Sequence, residues 1–352
     1  MRSGDLSHRS VGWWAPANFA AASWIVALGL SIAISATATA NRLADIAVRG
    51  TLNCGIWPYV AGFAMTRGGR EVGFDVDICR AVAVAILGDP GKVRLVTLAD
   101  VEQFAMRDDV DLVVRRLTWT LGRETANGVA FGPVTFYDGQ GFLVRRHSGI
   151  SRAAELSGER ICVMAGERRP GTLQSYFRDL GRDVQAVVVE SDKEAAEAMD
   201  NDRCRAYSAD VSWLAAARST FADGVARYEI LPDQISKEPL APVMRAQDKE
   251  LLQVVRWTIF AMIQAEELNI DSHNIGTLKS SSSRAGSFLN VHPGSRVALG
   301  AGDWVRGIIA GVGNYGEVFD RNLGMGSAIK LDRGLNGLWT QGGLMYSPPF
   351  DR

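Results

Sequence analysis

The chain has 352 residues, of which 47% are hydrophobic and 22% are charged, and its formal net charge at pH 7 is −1. This composition is typical of a globular protein, and the length suffices for about two domains or lobes. The near balance of 38 basic and 39 acidic side chains gives no electrostatic reason to expect a nucleic acid as partner.

The first forty residues differ from the rest of the chain. Two arginines precede an uncharged span, 10–41, in which the small residues Ala38-Thr39-Ala40 follow an apolar centre. Basic, apolar and small-residue parts in this order are typical of a secretory signal peptide. We therefore predict that residues 1–40 are a signal peptide cleaved after Ala40. An uncleaved membrane anchor is the alternative, because about 20 apolar residues can span a bilayer.

Strand and helix patterns alternate along the rest of the chain. Short apolar runs predict strands, and apolar residues at helical spacing predict the helices between them. This alternation predicts an α/β fold with mostly parallel sheets and right-handed crossovers. A serine- and glycine-rich segment, 280–302, is predicted to be a surface loop. The predicted strands are 52–56, 93–98, 112–114, 142–144, 161–164, 187–189 and 206–208, and the main predicted helices are 75–87, 171–180, 193–201, 211–219 and 248–268.

Two segments indicate where the chain passes between lobes. The run 136–141 places glycines between two strands, which suits a crossing. The run 238–243 is extended, because each of its prolines disfavours helical geometry in the residue before it. These crossings predict a first lobe of residues 41–139 and 244–352 and a second lobe of residues 140–243. Ligands of such open sheets bind between the lobes, at the carboxyl ends of strands.

The four cysteines suit an exported chain, in which disulfides persist. Four cysteines allow three pairings. Pairing Cys54 with Cys79 and Cys162 with Cys204 keeps each bond within one predicted lobe and leaves the lobes free to move. Four buried free thiols are the alternative. We predict no metal site, because the sequence has no CxxC motif and its four histidines show no ligand spacing.

The end of the strand 112–114 carries groups that suit a carboxylate. Thr118, Trp119 and Thr120 follow it, and Arg123 comes one helical turn later. Thr120 has the chemistry of a helix N-cap, which places Arg123 beside backbone N–H groups that lack helical partners. Hydroxyls, N–H groups and a guanidinium predict a small anion site formed by Arg123 with Thr118 and Thr120. From the residues alone, a solvated surface arginine is the alternative.

Asp210 follows the strand 206–208 and is the candidate acceptor for the ammonium group of an amino acid. Its alternative role is the N-cap of the helix 211–219. Trp57 and Tyr59 follow the first strand, and with Trp119 they are candidates for the wall of a side-chain pocket. Burial of at least one of these rings in the core is the alternative.

These motifs resemble those of the periplasmic solute-binding proteins of amino-acid ABC transporters, and most of all the general L-amino-acid-binding branch. The resemblance implies a two-lobed type II periplasmic-binding-protein fold with two crossover strands. It also implies a monomer in the periplasm that binds an L-amino acid and delivers it to a membrane permease. The segments that carry it are TWTLGR (118–123), YDGQGF (137–142), GFDVDICRAVA (73–83), AELSGERICVMAG (154–166), ISKEPLAPVMR (235–245), GNYGEVFDRN (313–322) and GLNGLWTQGGLMYSPP (334–349).

The resemblance further implies that Arg123 binds the ligand's carboxylate and that Asp210 binds its α-amino group. Two departures concern the pocket. Arg115 and Arg116 stand where the family usually has small polar residues, and the run 167–170, with Arg168, replaces small hydroxyl residues. These arginines predict an acidic amino acid or a dicarboxylate as ligand. Alternatively, they are surface residues and the pocket is altered.

No catalytic set is evident, since the sequence has no GxSxG elbow and no P-loop lysine. We therefore predict a binding protein without a cofactor and not an enzyme. A periplasmic dehydratase of cyclohexadienyl acids on the same fold is the alternative, with Glu167 as its candidate acid. A ligand sensor for a membrane receptor is a third possibility.

Overall fold

The computed structural model describes residues 41–99, 104, 107–126, 128–165, 169–278, 284–291 and 303–350. The helices of this part of the chain are α1 Arg42–Arg49, α2 Phe74–Leu87, α3 Leu121–Ala126, α4 Arg169–Asp179, α5 Asp192–Asp200, α6 Val211–Thr220, α7 Gly224–Arg227, α8 Lys249–Glu267, α9 Arg284–Leu289, α10 Trp304–Gly311 and α11 Tyr315–Asn322. The strands are β1 Leu52–Ile56, β2 Tyr59–Val60, β3 Ala64–Arg67, β4 Arg70–Val72, β5 Val93–Thr97, β6 Leu112–Val113, β7 Val129–Phe131, β8 Phe136–Asp138, β9 Gln140–Arg145, β10 Arg160–Met164, β11 Gln185–Val189, β12 Ala206–Asp210, β13 Tyr228–Ile230, β14 Glu238–Leu240 and β15 Val243–Arg245.

The first large sheet has the strand order β5-β1-β6-β15-β7. Every residue of β1 is buried, as expected for a central strand that is covered on both faces. The helix α2 supplies much of that cover, because most of its side chains are buried. Gly88 ends α2 with a φ of 73°, the left-handed geometry that glycine adopts at helix ends.

The second large sheet has the strand order β11-β10-β12-β9-β13. Two of its pairs are parallel and two are antiparallel, and the same holds for the first sheet. The prediction of mostly parallel sheets is therefore wrong. The strands that connect the two sheets, β8 and β14, lead directly into β9 and β15. The strands β9 and β15 therefore enter their sheets without a helical crossover, and they run antiparallel to their neighbours.

Two antiparallel strands, β8 and β14, form a ladder between the large sheets. The strand β8 leads from β7 of the first sheet to β9 of the second, and β14 leads from β13 back to β15. This arrangement confirms the predicted two-lobed α/β fold with two crossover strands. The lobe boundaries at residues 139/140 and 243/244 remain predictions.

Each of the two disulfides joins cysteines of the same lobe, as predicted. The first joins Cys54 of β1 to Cys79 of α2, with a Cα–Cα distance of 6.1 Å. The second joins Cys162 of β10 to Cys204, with a Cα–Cα distance of 5.5 Å. All four cysteines are therefore paired, and the alternative of four free thiols does not hold.

The segment 280–302 contains a helix where the sequence predicts a loop. Within it the structure describes residues 284–291, and α9 occupies the first six. The loop prediction is wrong there, because Phe288 and Leu289 are buried, and the ring of Phe288 packs edge-on against Phe350 with centroids 5.0 Å apart. This contact is distant in sequence, so it leaves no local periodic signal.

No helix in the described ranges is long and apolar enough to cross a membrane. The predicted signal peptide, residues 1–40, lies outside the described residues and stays a prediction.

Candidate functional site

A cavity of about 410 Å³ lies where strand ends from both large sheets meet. This volume is within the range of small-molecule sites, and the position matches the rule for ligands of open α/β sheets. The lining residues come from both sheets and from the ladder between them, and they are Trp57, Val60, Arg115, Arg116, Leu117, Thr118, Arg123, Gln140, Arg169, Thr172, Asp210, Trp213 and Glu238.

Arg123 reaches the cavity from the first turn of α3. Its backbone N–H donates to Oγ1 of Thr120 at 3.2 Å, so Thr120 caps the helix as the sequence indicates. Its Nη1 donates to the carbonyl oxygen of Thr118 at 2.9 Å, which orients the guanidinium. The hydroxyl of Thr118 in turn donates to Oε2 of Glu238 at 2.6 Å. These bonds fix the segment 115–123, called here the arginine loop, against the strand β14.

Asp210 is the last residue of β12, and its carboxylate pairs with Arg169. Oδ2 accepts from Nη2 of Arg169 at 2.9 Å, and Oδ1 accepts from Nε at 3.4 Å. The side chain of Asp210 makes no capping bond to α6. Asp138 of the ladder caps that helix instead, because its Oδ1 accepts from the N–H of Ser212 at 3.1 Å. The carboxylate of Asp210 is thereby left to line the cavity.

Arg116 links the arginine loop to the second lobe. Its guanidinium donates to the hydroxyl of Ser212 and lies 3.7 Å from Oδ2 of Asp138. Cζ lies 5.0 Å from the ring centroid of Phe63 and 5.9 Å from that of Trp213, within cation–π range. The side chain is only 12% exposed, so Arg116 is not a surface arginine. Its φ of 56° is costly for a residue other than glycine, a strain common at functional sites.

Two buried carboxyl groups lie near these arginines. Burial raises the pKa of Asp138 to about 6, although the charge of Arg116 acts to lower it. Burial raises the pKa of Asp75 to about 7, against the lowering effect of Arg116 and Arg115. Both carboxyl groups therefore bind a proton more readily than an exposed aspartate does.

The cavity brings together four of the predicted ligand residues, and they are Trp57, Thr118, Arg123 and Asp210. Thr120 does not line it, since its hydroxyl is used in capping α3. Arg168 lies outside the described residues, so its predicted role stays a prediction, and the same is true of Glu167 as a candidate acid.

Trp119 and Tyr59 lie away from the described lining of the cavity. The ring of Trp119 stacks on Phe131 with centroids 5.7 Å apart, and its Nε1 donates to Glu124 at 2.8 Å. Tyr59 is 70% exposed and meets Trp57 edge-on at 4.8 Å. Their predicted part in the pocket wall stays a prediction.

Seven lining residues were not singled out as ligands from the sequence, and they are Val60, Leu117, Gln140, Arg169, Thr172, Trp213 and Glu238. Gln140 is 2% exposed, and its Nε2 donates to Ser208 at 3.0 Å and to the carbonyl oxygen of Arg169 at 3.1 Å. The basic run 167–170 was the available signal for Arg169.

A second cavity of about 400 Å³ adjoins the first, since both are lined by Arg169 and Trp213. Trp213 is oriented by Asp192, whose Oδ1 accepts from Nε1 of the indole at 2.8 Å and from the hydroxyl of Tyr207 at 2.7 Å. The site therefore continues past the indole ring of Trp213. Within the described ranges, no group of three or more His, Cys, Asp or Glu side chains is placed to hold a metal ion.

Comparison with known proteins gives three results. The family of bacterial extracellular solute-binding proteins, family 3, matches residues 52–272. The general L-amino acid-binding periplasmic protein AapJ of Rhizobium johnstonii is 41% identical over 327 residues, which cover 91% of this chain and 95% of that protein. The glutamate/glutamine/aspartate/asparagine-binding protein BztA of Rhodobacter capsulatus is 39% identical over 330 residues, which cover 92% and 97%.

A solved structure is also similar over most of the chain. It is an ABC transporter periplasmic binding protein from Brucella ovis with glutathione bound. It shares 40% sequence identity with this chain at a TM-score of 0.76, and the match covers 89% of this chain and all of that one.

Proposed function

Because this chain belongs to the bacterial extracellular solute-binding proteins, family 3, we propose that it binds an L-amino acid between its two lobes and delivers it to an ABC permease. The observation that carries the proposal is the placement of Arg123 and Asp210 in one cavity. An amino acid presents a carboxylate and an ammonium group, and these side chains offer each of them the opposite charge. The protein acts in the periplasm as a monomer, after residues 1–40 have been removed.

Ligand binding in this scheme holds the lobes together. A ligand that contacts Arg123 of one lobe and Asp210 of the other binds best when the cleft is closed, so it shifts the population toward the closed form. The permease recognises that form and receives the ligand from it. The protein needs no cofactor for this cycle and carries out no reaction on its ligand.

The charge of the cavity supports an acidic amino acid as ligand. Its described lining holds four arginines against two carboxylates, Asp210 and Glu238. Asp210 already has Arg169 as a partner, so the ammonium group of a ligand would share that carboxylate. An excess of guanidinium groups favours a second carboxylate on the ligand, which L-glutamate and L-aspartate provide.

Calorimetry with L-glutamate, L-glutamine and L-alanine tests both parts of the proposal. We expect binding of L-glutamate, weaker binding of L-glutamine and still weaker binding of L-alanine. Arg123→Met should weaken L-glutamate binding about 30-fold or more, because a charge pair across an interface contributes at least about 2 kcal/mol. Asp210→Asn should weaken it similarly, whereas Arg178→Met, an exposed arginine of α4, should leave it unchanged.

Two results would contradict the proposal. Equal affinity for the three amino acids would remove the preference for an acid. Unchanged affinity in both Arg123→Met and Asp210→Asn would remove these side chains from the site.

A small peptide with an amino-acid end is a second candidate ligand. The Brucella ovis protein is described with glutathione bound, and glutathione has an amino-acid end and a distant second carboxylate. The cavity beyond Trp213 gives such a ligand room that free glutamate does not need. Tighter binding of glutathione than of L-glutamate, lost in Trp213→Gly but not in Trp257→Gly, would favour this candidate.

The enzyme alternative has a direct test of its own. A cyclohexadienyl dehydratase would convert arogenate or prephenate into an aromatic product. We expect no such product on incubation, because the family and the relatives are solute-binding proteins. Formation of phenylalanine or phenylpyruvate would overturn this expectation.

A further inference from the structure

Residues 323–336, called here the C-terminal strap, extend from the first lobe toward the second. They follow α11, which packs against α2 and α8, the helices that cover the first sheet. They also lie beyond residue 272, where the match to the family ends. Contacts between the strap and the second lobe connect the two lobes in addition to the two crossover strands.

Arg218 of α6 makes one such contact. Its Nη2 donates to the carbonyl oxygens of Ile329 at 2.9 Å and Lys330 at 2.8 Å. The residue is only 5% exposed, and burial lowers the pKa of its guanidinium. A buried charge is costly unless it is hydrogen-bonded. Separating the strap from α6 would leave this charge without its two carbonyl partners.

Asn336 makes a second contact, with the strand β8. Its Oδ1 accepts from the backbone N–H of Tyr137 at 2.6 Å, and its Nδ2 donates to the carbonyl oxygen of the same residue at 3.1 Å. Asn336 is 4% exposed. One amide thus satisfies both backbone groups of Tyr137, as a neighbouring strand would, and widens the ladder at which the lobes meet.

The strap and α6 of the second lobe also contribute side chains to one contiguous buried apolar cluster. The members from α6 and from the strap are Val211, Ala215, Ala216, Leu323, Ile329 and Leu331.

We propose that the C-terminal strap holds the lobes in the arrangement in which Arg123 and Asp210 share a cavity. Arg218 and Asn336 are its positioning residues, and they act through the ladder and α6 without touching the ligand. The cavity of about 970 Å³ that the strap helps to line shares no lining residue with the ligand cavity. A rotation of the second lobe about β8 and β14 would pull Arg218 away from its two acceptors, so the strap opposes it.

A distance measurement in the ligand-free protein tests the proposal. Nitroxide labels at Arg67→Cys and Lys193→Cys place one probe on each lobe, and the native cysteines do not react because all are in disulfides. Double electron–electron resonance then gives the distribution of distances between the lobes. We expect Arg218→Met and Asn336→Leu each to broaden this distribution and to shift its mean.

The binding of L-glutamate gives a second readout. The apparent dissociation constant equals the intrinsic one divided by the fraction of molecules in the competent arrangement. We therefore expect Arg218→Met to weaken binding at least about threefold, with a smaller effect for Asn336→Leu. The distances decide the matter even where L-glutamate is not the ligand, since they are measured without it.

Arg245→Met is the matched control. Arg245 is also buried, at 3% exposed, but its guanidinium donates to the carbonyl oxygen of Val110 within the first lobe. Both arginine variants should lower the melting temperature, and only Arg218→Met should alter the distances. The proposal is overturned if Arg218→Met and Asn336→Leu keep the parent's distance distribution, because a merely structural role predicts that result.

Discussion

Replacing Asp75 with asparagine should stabilise the protein at neutral and alkaline pH. Asp75 lies in the first turn of α2 and is 4% exposed. Burial raises its pKa from 3.8 to about 7, although Arg116 and Arg115 lower it. Since the native pKa is above the unfolded one, the native state binds more protons between these values. The free energy of unfolding of the parent therefore falls as the pH rises from about 4 to about 7.

The size of this effect follows from the pKa. The rise from 3.8 to about 7 corresponds to about 4 kcal/mol, at about 1.4 kcal/mol for each pH unit. The group is buried, so no reduction for solvent screening is needed. Asparagine has nearly the same shape and does not ionise. Below pH 4 the free energy of unfolding of Asp75→Asn should equal that of the parent as far as this group is concerned. Above pH 7 it should be higher than that of the parent by up to about 4 kcal/mol.

Urea denaturation of the parent and the variant at intervals between pH 4.5 and pH 8.5 measures the difference. Asp109→Asn is a control whose stability difference should stay constant over this pH range. The hydrogen bond from Arg107 lowers the pKa of the exposed Asp109, so this group is ionised in the native and the unfolded state above about pH 4.5. A stability difference for Asp75→Asn that is constant or shrinks with rising pH would refute the reasoning. It would mean that Asp75 is ionised in the native state.

Two further predictions concern stability. Cys162→Ser combined with Cys204→Ser should lower the free energy of unfolding by about 4 kcal/mol in urea titrations, because the bond closes a sequence separation of 42 residues; an unchanged midpoint would contradict this. Gly73→Ala should lower the free energy of unfolding by about 2 kcal/mol or more, because φ is 139° and the added Cβ would lie 2.2 Å from the carbonyl oxygen of Phe63. Gly68→Ala, where φ is also positive but no atom lies within 4 Å, should lower the free energy of unfolding less in the same urea titrations.

The fold was predictable wherever local pattern and burial agree. The helices α2 and α8 have long apolar patterns, and their predicted bounds differ from the observed ones by one residue or less. The small sheet formed by β2, β3 and β4 was not predicted. Its strands have two to four residues each, too few to establish a period of two.

Candidate side chains could be predicted where polar residues follow strand ends. Arg123 and Asp210 were identified in this way and both line the cavity, and their part in ligand binding stays a prediction. The stacking of Trp119 on Phe131 and the capping of α6 by Asp138 could not be read from the sequence. Both depend on partners from other elements, which only the folded chain brings together.

In chain order, the strands of the second large sheet lie between strands of the first, and this bears on the order in which the two sheets can fold. All strands of the second large sheet lie between Gln140 and Ile230, whereas the first sheet is incomplete until Val243–Arg245 has been added. A chain that emerges amino-terminal end first can thus complete the inner sheet, and seal Cys162 to Cys204, while the outer sheet still lacks a strand. The earlier lobe in sequence is the later one to be finished.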